Sequence, residues 1–306
     1  MKFNKNIKSN SSTVLITGAS GLLGLELCYV LKKFNFKVIA QTNKNNISKD
    51  LCSTNICSKL ESLAEIQEIF NNYRPSWVVH CAAYTDLDFC ELNPLKAHEL
   101  HVESSRKLAV CAANSKARII YISTDSVYDS DTPALNTELS ATKPVNVYAR
   151  TKLEGERICQ HHHNDSIIAR VNFFSYNKLY CRGLMYNIIN NINNNKIFNG
   201  FIDVHFNPLS VSDLASILYL IILRNIMSGI YNISASNSCS KYDFAKMIAR
   251  YSNLNEQLVH ESYIGDSLLY TKRPKNTAMN SNLLATILNI EMPNIENSIY
   301  SYSKSL

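Results

Sequence analysis

At 306 residues, 46% of them hydrophobic and 18% charged, the chain is long enough to bury a full core and too apolar for an extended disordered segment. The formal net charge of +6 is mild and spread without a basic stripe, which argues against a nucleic-acid partner and suits an anionic small molecule. Residues 1–12 lack the apolar core of a secretory signal, and the longest apolar run, Ile217 to Leu223, is too short to span a bilayer, so a soluble, cytoplasmic protein with a flexible N-terminal tail and no membrane partner is expected.

Val14-Leu-Ile-Thr-Gly18-Ala-Ser-Gly21-Leu-Leu-Gly24 reads as a strand, a glycine-rich turn and the start of a helix whose apolar face is Leu27, Val30, Leu31 and Phe34. That geometry brings a pyrophosphate against backbone N–H groups at the positive end of a helix. Gly18 permits the tight turn, Gly21 lets phosphates approach the backbone, and Gly24 lets the helix pack close to the strand. A second strand follows at Phe36–Gln41, then a helix from about Leu60 to Asn72 that stops at Arg74-Pro75. Trp77–Cys81 reads as a buried strand, Pro94–Ala113 as one long helix, Arg118–Thr124 as a strand, Val147–Cys159 as a helix and Ser166–Arg170 as a strand. Strands separated by helical crossovers predict a parallel, doubly wound α/β sheet, with ligands beyond the carboxyl ends of the strands. Three segments fall at such ends: the glycine turn, Cys81-Ala-Ala-Tyr-Thr85, and Ser123-Thr-Asp125.

From about Asn172 the alternation weakens. Asn190–Asn195 is asparagine-rich and reads as a helix running into a loop, while Ser240-Lys-Tyr-Asp243 is a capping box opening a helix with Phe244, Met247, Ile248 and Tyr251 on its apolar face. The nine cysteines show no zinc-ligand spacing, and Cys28, Cys81, Cys111 and Cys159 lie in apolar patterns, so no metal site is expected. His161-His-His163 allows a metal ligand set or an exposed helix end.

Tyr148-Ala-Arg-Thr-Lys152 puts a phenol and an ammonium on one helix face, about 6 Å apart along the axis. A nearby ammonium favours the phenolate and lets tyrosine exchange a proton with a carbonyl or alcohol near neutral pH. Lys152 can also hold a ribose hydroxyl, and Thr124 can hydrogen-bond a substrate oxygen where negative charge develops.

From about Thr13 to Tyr302 the chain resembles the extended short-chain dehydrogenase/reductases, and among them the dTDP-4-dehydrorhamnose reductase family. The resemblance rests on Thr17-Gly-Ala-Ser-Gly-Leu-Leu-Gly24, Arg74-Pro75, His80-Cys-Ala-Ala-Tyr-Thr85, Ile122-Ser-Thr-Asp125 with Val127-Tyr-Asp129, Pro144 to Glu156, Gly229-Ile-Tyr-Asn-Ile-Ser234, Ser240 to Ala245 and Arg273-Pro-Lys-Asn276. It implies a Rossmann-type doubly wound parallel sheet with a small C-terminal α/β substrate lobe. The expected division is a tail at 1–12, a dinucleotide-binding domain at 13–171, and a lobe at 172–306 with some segments returning to the core. The implied activity is NAD(P)H-dependent reduction of a 4-keto group on a nucleotide-linked deoxysugar, in sugar-nucleotide and polysaccharide biosynthesis. Tyr148 would be the acid/base, Lys152 its partner, and Thr124 with Asp125 the substrate-carbonyl side. The implied cofactor set is Gly18, Ser20, Gly21, Leu22, Leu23, Gly24, Asn43, Lys44, Asn55, Ile56, Cys81, Ala82, Ala83, Thr85 and Ser123, with Tyr148 and Lys152. A homodimer is implied by the resemblance alone.

NAD-specific sites commonly carry a carboxylate after the second strand, but here that strand ends Gln41-Thr-Asn-Lys44. A 2′-phosphate tolerates Lys44, so NADP(H) is preferred, with NAD(H) the alternative. Asn55-Ile56 stands where the family often has Asp and an aliphatic residue against adenine. His101 occupies the position of the family's usual asparagine, Ser126 that of a tyrosine, Asp129 is not followed by the usual glycine, and Val171-Asn-Phe-Phe174 lacks a tryptophan seen in many members. Asp203, with Asn207-Pro208, reads either as a substrate contact or as a turn before a helix. Two other readings stay open. The chain also resembles the regulatory β subunit of methionine adenosyltransferase, which binds NADP without catalysis, and an epimerase or reductase acting on another nucleotide sugar shares the same motifs.

Overall fold

A computed structural model describes residues 12–128, 134–176, 181 and 183–304; the expected tail up to residue 11 and Asp129 lie outside the described residues. Strand β1 (Thr13–Thr17) leads into helix α1 (Leu22–Lys33), followed by β2 (Lys37–Thr42), β3 (Thr54–Cys57), α2 (Leu63–Tyr73) and β4 (Trp77–His80). Ser62 caps α2 by accepting the Glu65 N–H, and left-handed Arg74 closes it ahead of Pro75, whose ring disfavours a helical residue before it. Next come α3 (Leu87–Leu92), α4 (Pro94–His98), a π-turn at Glu99–Glu103, α5 (Ser104–Asn114), β5 (Arg118–Thr124), α6 (Val147–His162) and β6 (Ser166–Val171). Periodicity does not predict β3, four residues at a sheet edge, or α3, a helix of six residues.

The single helix expected over Pro94–Ala113 is interrupted at Glu99–Glu103 by the π-turn. Ser104 and Ser105 donate their hydroxyls back to the carbonyls of Leu100 and His101, four residues earlier. Such bonds compete with the helix ladder, and a widened turn accommodates them.

The remaining elements are β7 (Phe173–Phe174), α7 (Leu184–Asn193), β8 (Phe198–Phe201), β9 (His205–Phe206), β10 (Leu209–Ser210), α8 (Val211–Arg224), β11 (Gly229–Ile233), β12 (Cys239–Ser240), α9 (Lys241–Tyr251), β13 (Val259–Ser262), α10 (Asn282–Ile287) and α11 (Ile295–Ser303). Among the described residues no helix is long and apolar enough to cross a membrane.

The described residues form two compact units, one from those within Met1–Thr124, Asn146–Arg170 and Ala215–Tyr231, the other from those within Asp125–Val145, Val171–Leu214 and Asn232–Leu306. The first is built on a seven-stranded sheet in the order β11-β6-β5-β4-β1-β2-β3. β1 pairs in parallel with β2 and β4, β2 with β3, and β4 with β5. The winding direction reverses between β1 and β4, the switch point at which doubly wound sheets open a crevice. This is the Rossmann-type fold the alternation predicts.

Register explains both the core and the site. Leu15, Val78 and Ile119 align across β1, β4 and β5, and with Ile39 and Ile168 they pack against Ile66, Ile69 and Phe70 of α2 and Leu108 and Ala112 of α5. Two residues further along the same face the row becomes Thr17, His80 and Tyr121, so the apolar layer ends in polar groups at the carboxyl ends of the strands. On α1, Leu27 and Leu31 are fully buried, and Phe34, which ends the helix, stacks on Tyr219 of α8 with ring centroids 4.2 Å apart.

The second unit is made of small pairings: β10 with β7 and β13 with β8 in parallel, β12 with β9 antiparallel. Ser240 caps α9 as its sequence predicts, accepting the Asp243 N–H at 3.0 Å and donating to the Asp243 carboxylate at 2.6 Å. Phe244 of that helix meets Phe174 and Phe206 edge-on, with centroids 5.3 and 5.1 Å away.

Helix α1 approaches the sheet through Gly24, where an added Cβ would run into the Gly18 carbonyl oxygen and sit 2.7 Å from Ala19 Cα. Both neighbours are backbone, so neither yields by a rotamer change. Gly24→Ala is expected to destabilise the protein by about 1–3 kcal/mol, as overpacking does. Urea unfolding followed by circular dichroism checks this; an unchanged midpoint would show that α1 slides freely.

Candidate active site

The β1–α1 turn is held from below by Gln41 of β2. The Gln41 carbonyl accepts the Ala19 N–H at 2.9 Å, and its side-chain oxygen accepts the Gly18 N–H at 3.2 Å. The same amide donates to the Ser58 carbonyl at 2.7 Å, so one buried side chain ties the turn to the ends of β2 and β3. In the sequence Gln41 stands out only for not being an acid; nothing in its spacing reveals the clamp. Gly18 takes a positive φ of 63°, and a Cβ there would lie 2.7 Å from the backbone of Ala82. The turn after β1 therefore abuts the turn after β4 at Gly18 and Ala82, and Ser20, Gly21, Leu22, Leu23 and Gly24 continue from Gly18 into α1; Cys81 to Tyr84 are half-buried and Thr85 is exposed. Gly21 stands at the N-cap of α1, with no side-chain cap and no acid in the first turn. A helix start with open N–H groups and no negative charge suits a pyrophosphate.

Asn43 and Lys44 follow β2 and are exposed, with no carboxylate between Gln41 and Lys44. Beside them the Thr42 and Ser58 hydroxyls are buried and lack a hydrogen-bond partner. Orphaned donors next to an exposed lysine fit an anionic ligand group. Asn55, expected to face adenine, has its side chain on Ile47, donating to the carbonyl at 2.7 Å and accepting the N–H at 3.4 Å; Ile56 beside it is half-buried.

Asn146 caps α6, accepting the Ala149 N–H at 2.9 Å, and starts the helix that carries Tyr148 and Lys152. Tyr148 is half-buried; Lys152 is 2% exposed, its Nζ 4.0 Å above the centre of the Tyr121 ring. The Tyr121 hydroxyl lies 3.3 Å from both the Lys152 and His101 carbonyls. Burial lowers the Lys152 ammonium to about 7, partly offset by the Glu156 carboxylate. Thr124, 5% exposed, ends β5, and the preceding Ser123 donates its hydroxyl to Glu156 of α6. Ser123, an expected cofactor ligand, thus has a protein partner. Thr124, Tyr148 and Lys152 belong to one compact unit, with α6 and the end of β5 joined through Tyr121 and Ser123.

His101 sits in the π-turn, fully buried. Its Nε2 accepts the Tyr84 N–H at 2.9 Å, so Nδ1 carries the proton and donates to the Thr151 hydroxyl at 2.8 Å. Its ring meets the Tyr148 ring edge-on at 5.8 Å. Desolvation, with the Lys152 charge, pushes its pKa down to about 2, so this histidine is a neutral strut between the turn after β4 and α6. His80 is likewise neutral, lowered to about 3 by burial, and bonds Thr17 Oγ1 at 2.7 Å and Ser105 Oγ at 3.1 Å.

In the second unit, Asp125 is buried and accepts from Asn172 and, at 3.3 Å, from Ser126. Asp203 accepts the Ile264 N–H at 2.9 Å and lies 3.5 Å from Lys275 Nζ, pinning the turn after β8. Asn207 is completely buried, and its amide bonds Ser234, Ala235 and both backbone groups of Met279. Of the two readings of Asn207-Pro208, the structural turn is the one its contacts match. The histidine triplet splits: His161 is exposed, whereas His163 is buried with Nε2 2.7 Å from the Ala117 carbonyl. Among the described residues no cluster of three His, Cys, Asp or Glu could hold a metal.

The chain is 28% identical to methionine adenosyltransferase 2 subunit beta of Xenopus laevis over 80% of its own length and 73% of that protein's. It is 27% identical to dTDP-4-dehydrorhamnose reductase of Aggregatibacter actinomycetemcomitans, covering 87% of this chain and 90% of that one. The crystal structure of dTDP-4-dehydrorhamnose reductase from Bacillus anthracis in complex with NADP superposes with a TM-score of 0.85 at 25% identity, covering 97% of this chain and all of that one. The family model described as the RmlD substrate binding domain matches residues 12–306, and the chain belongs to that family.

Proposed function

We propose that the protein is an NADPH-dependent reductase of a 4-keto group on a nucleotide-activated deoxysugar. The observation that carries this reading is the buried Lys152 ammonium one helical turn beyond Tyr148, on a helix tied to the Thr124 end of β5 in the unit that bears the glycine turn. The similarity to dTDP-4-dehydrorhamnose reductases supports it.

The cofactor, when bound, supplies a hydride to the carbonyl carbon. The chain's residues supply everything else. Gly18, Gly21 and the open start of α1 receive the pyrophosphate, a use that fits a helix N-terminus with no side-chain cap and no acid in its first turn. Lys44, with the Thr42 and Ser58 hydroxyls, receives the 2′-phosphate of NADP(H) in preference to the free hydroxyl of NAD(H). Thr124 donates a hydrogen bond to the substrate oxygen as negative charge grows there, and Tyr148 donates the proton that completes the alcohol. Lys152 favours the phenolate that the transfer leaves behind. His101, held neutral, gives no proton and fixes the flank of the Tyr148 ring.

Offering NADPH with a panel of nucleotide-linked 4-ketosugars and following nicotinamide oxidation tests the reading. Turnover is expected with at least one deoxysugar; NADPH binding with no turnover across the panel would favour a regulatory subunit. Tyr148→Phe is expected to lower kcat about 10²–10⁴-fold while NADPH still binds, and undiminished turnover would remove Tyr148 from the chemistry. Lys44→Glu is expected to weaken NADPH binding about fivefold, on the order of 1 kcal/mol for an exposed charge, and to leave NADH unaffected; equal losses for both cofactors in paired titrations would contradict the assignment of Lys44.

A further inference from the structure

Behind the reaction centre lies an ion pair that the reductase reading does not use. Glu156 of α6 is 1% exposed and Arg170 of β6 is 3% exposed. The pair is two-pronged, with Arg170 Nη2 2.7 Å from Glu156 Oε2 and Nε 3.0 Å from Oε1, and Ser123 donates to the latter oxygen as well. Holding α6 against β6 does not require this. Apolar side chains of similar size commonly do it as well or better, because two charges must first be stripped of water. The pair therefore invites a reading in terms of charge.

Tyr148, Lys152 and Glu156 follow one another at four-residue spacing along α6, on one buried face. Other groups also face the Lys152 ammonium. Tyr121 comes from β5, His80 and Cys81 from the end of β4, His101 from the π-turn and Cys159 from α6. Burial leaves every one of these uncharged near neutral pH: His80 and His101 are lowered to about 3 and about 2, Cys81 and Cys159 are raised to about 12, and Tyr121 is raised well above the usual phenol. Glu156, paired with Arg170, brings a carboxylate to the same buried face of the helix. Arg170 grips its carboxylate from the β6 side.

We propose that Glu156 is a positioning residue for the reaction centre: its carboxylate, oriented by Arg170 and Ser123, keeps Lys152 in the ammonium form one helical turn away. The importance of that charge for Tyr148 rests on the reductase reading, whereas its effect on Lys152 does not. Without the carboxylate the largest influence opposing desolvation is gone, and Lys152 would lose its proton at lower pH. The Ser123 hydrogen bond also ties the carboxylate to the residue before Thr124, so a single anion braces both sides of the centre.

The test titrates Lys152 directly. In protein labelled with carbon-13 lysine, the Cε resonance that disappears in Lys152→Met reports the protonation midpoint without cofactor, substrate or turnover. Two variants are compared with the native protein: Glu156→Gln, and Glu156→Gln combined with Arg170→Met, which leaves no unpaired buried charge should the single variant fail to fold. The midpoint is expected to fall in both, by about one pH unit or more in Glu156→Gln and by less in the double variant, where a buried cation is lost as well, and Glu156→Asp, which keeps the charge, to restore most of it. If ketosugar reduction occurs, the alkaline limb of its pH profile moves to lower pH in the same variants. A folded double variant with the native Lys152 midpoint overturns the proposal. A shifted midpoint in a protein that reduces no ketosugar upholds the role of Glu156 and counts against the reductase reading alone.

Discussion

The constraint on which the rest of the structure depends is the contact between two turns that leave adjacent strands. Gly18 follows β1, Ala82 follows β4, and there is no room for a side chain between their backbones. The sheet reverses its winding between these strands, so the crevice a ligand would enter is walled by those turns. Gly24 extends the same economy by letting α1 settle onto the Gly18 carbonyl, and Gln41 fastens the turn from the β2 side. An ordinary residue at Gly18 would separate the two turns and misplace everything that follows each of them.

Past that crevice the governing quantity is charge in a dry interior. The polar row Thr17, His80 and Tyr121 ends the apolar layer, and both histidines of the region are neutral and fully bonded. They act as rigid spacers, and in the proposed reaction the proton chemistry falls to the tyrosine and lysine of α6. A histidine in place of the family's usual asparagine then makes physical sense: the π-turn carries its ring into the core, where it spans from Tyr84 to Thr151. A solvent-facing imidazole near pH 6.5 would have brought a second titration into the same pH range as Lys152.

Much of the fold was legible because periodicity and glycine spacing are local signals. The β1 strand with its three glycines, the Arg118–Thr124 strand and the Tyr148–Lys152 face all follow from residues a few positions apart. What escaped was set by partners distant in sequence. Nothing around Gln41 announces that it holds Gly18, and nothing around Asn55 announces that its amide bonds both backbone groups of Ile47. Asp203 and Asn207 likewise resemble binding residues in the sequence, yet their hydrogen bonds go to Ile264 and to Met279. The helix over Pro94–Ala113 reads as uniform because a single widened turn leaves apolar residues on both sides of it and no breaker residue between them. Spacing also put Lys152 beside Tyr148 without revealing that the ammonium is buried against the Tyr121 ring.

The most direct measurement of the central claim uses the single tryptophan of the chain. Trp77 pairs with Val14 of β1, about 13 Å along the strand from Gly18, and its emission overlaps the absorption of reduced nicotinamide. Titrating the protein with NADPH should produce saturable quenching of Trp77 and sensitised nicotinamide emission, both lost in a folded Gly18→Val variant. Tryptophan emission that stays unchanged at saturating NADPH, or that is quenched equally in the Gly18→Val protein, would contradict a dinucleotide site at the β1–α1 turn.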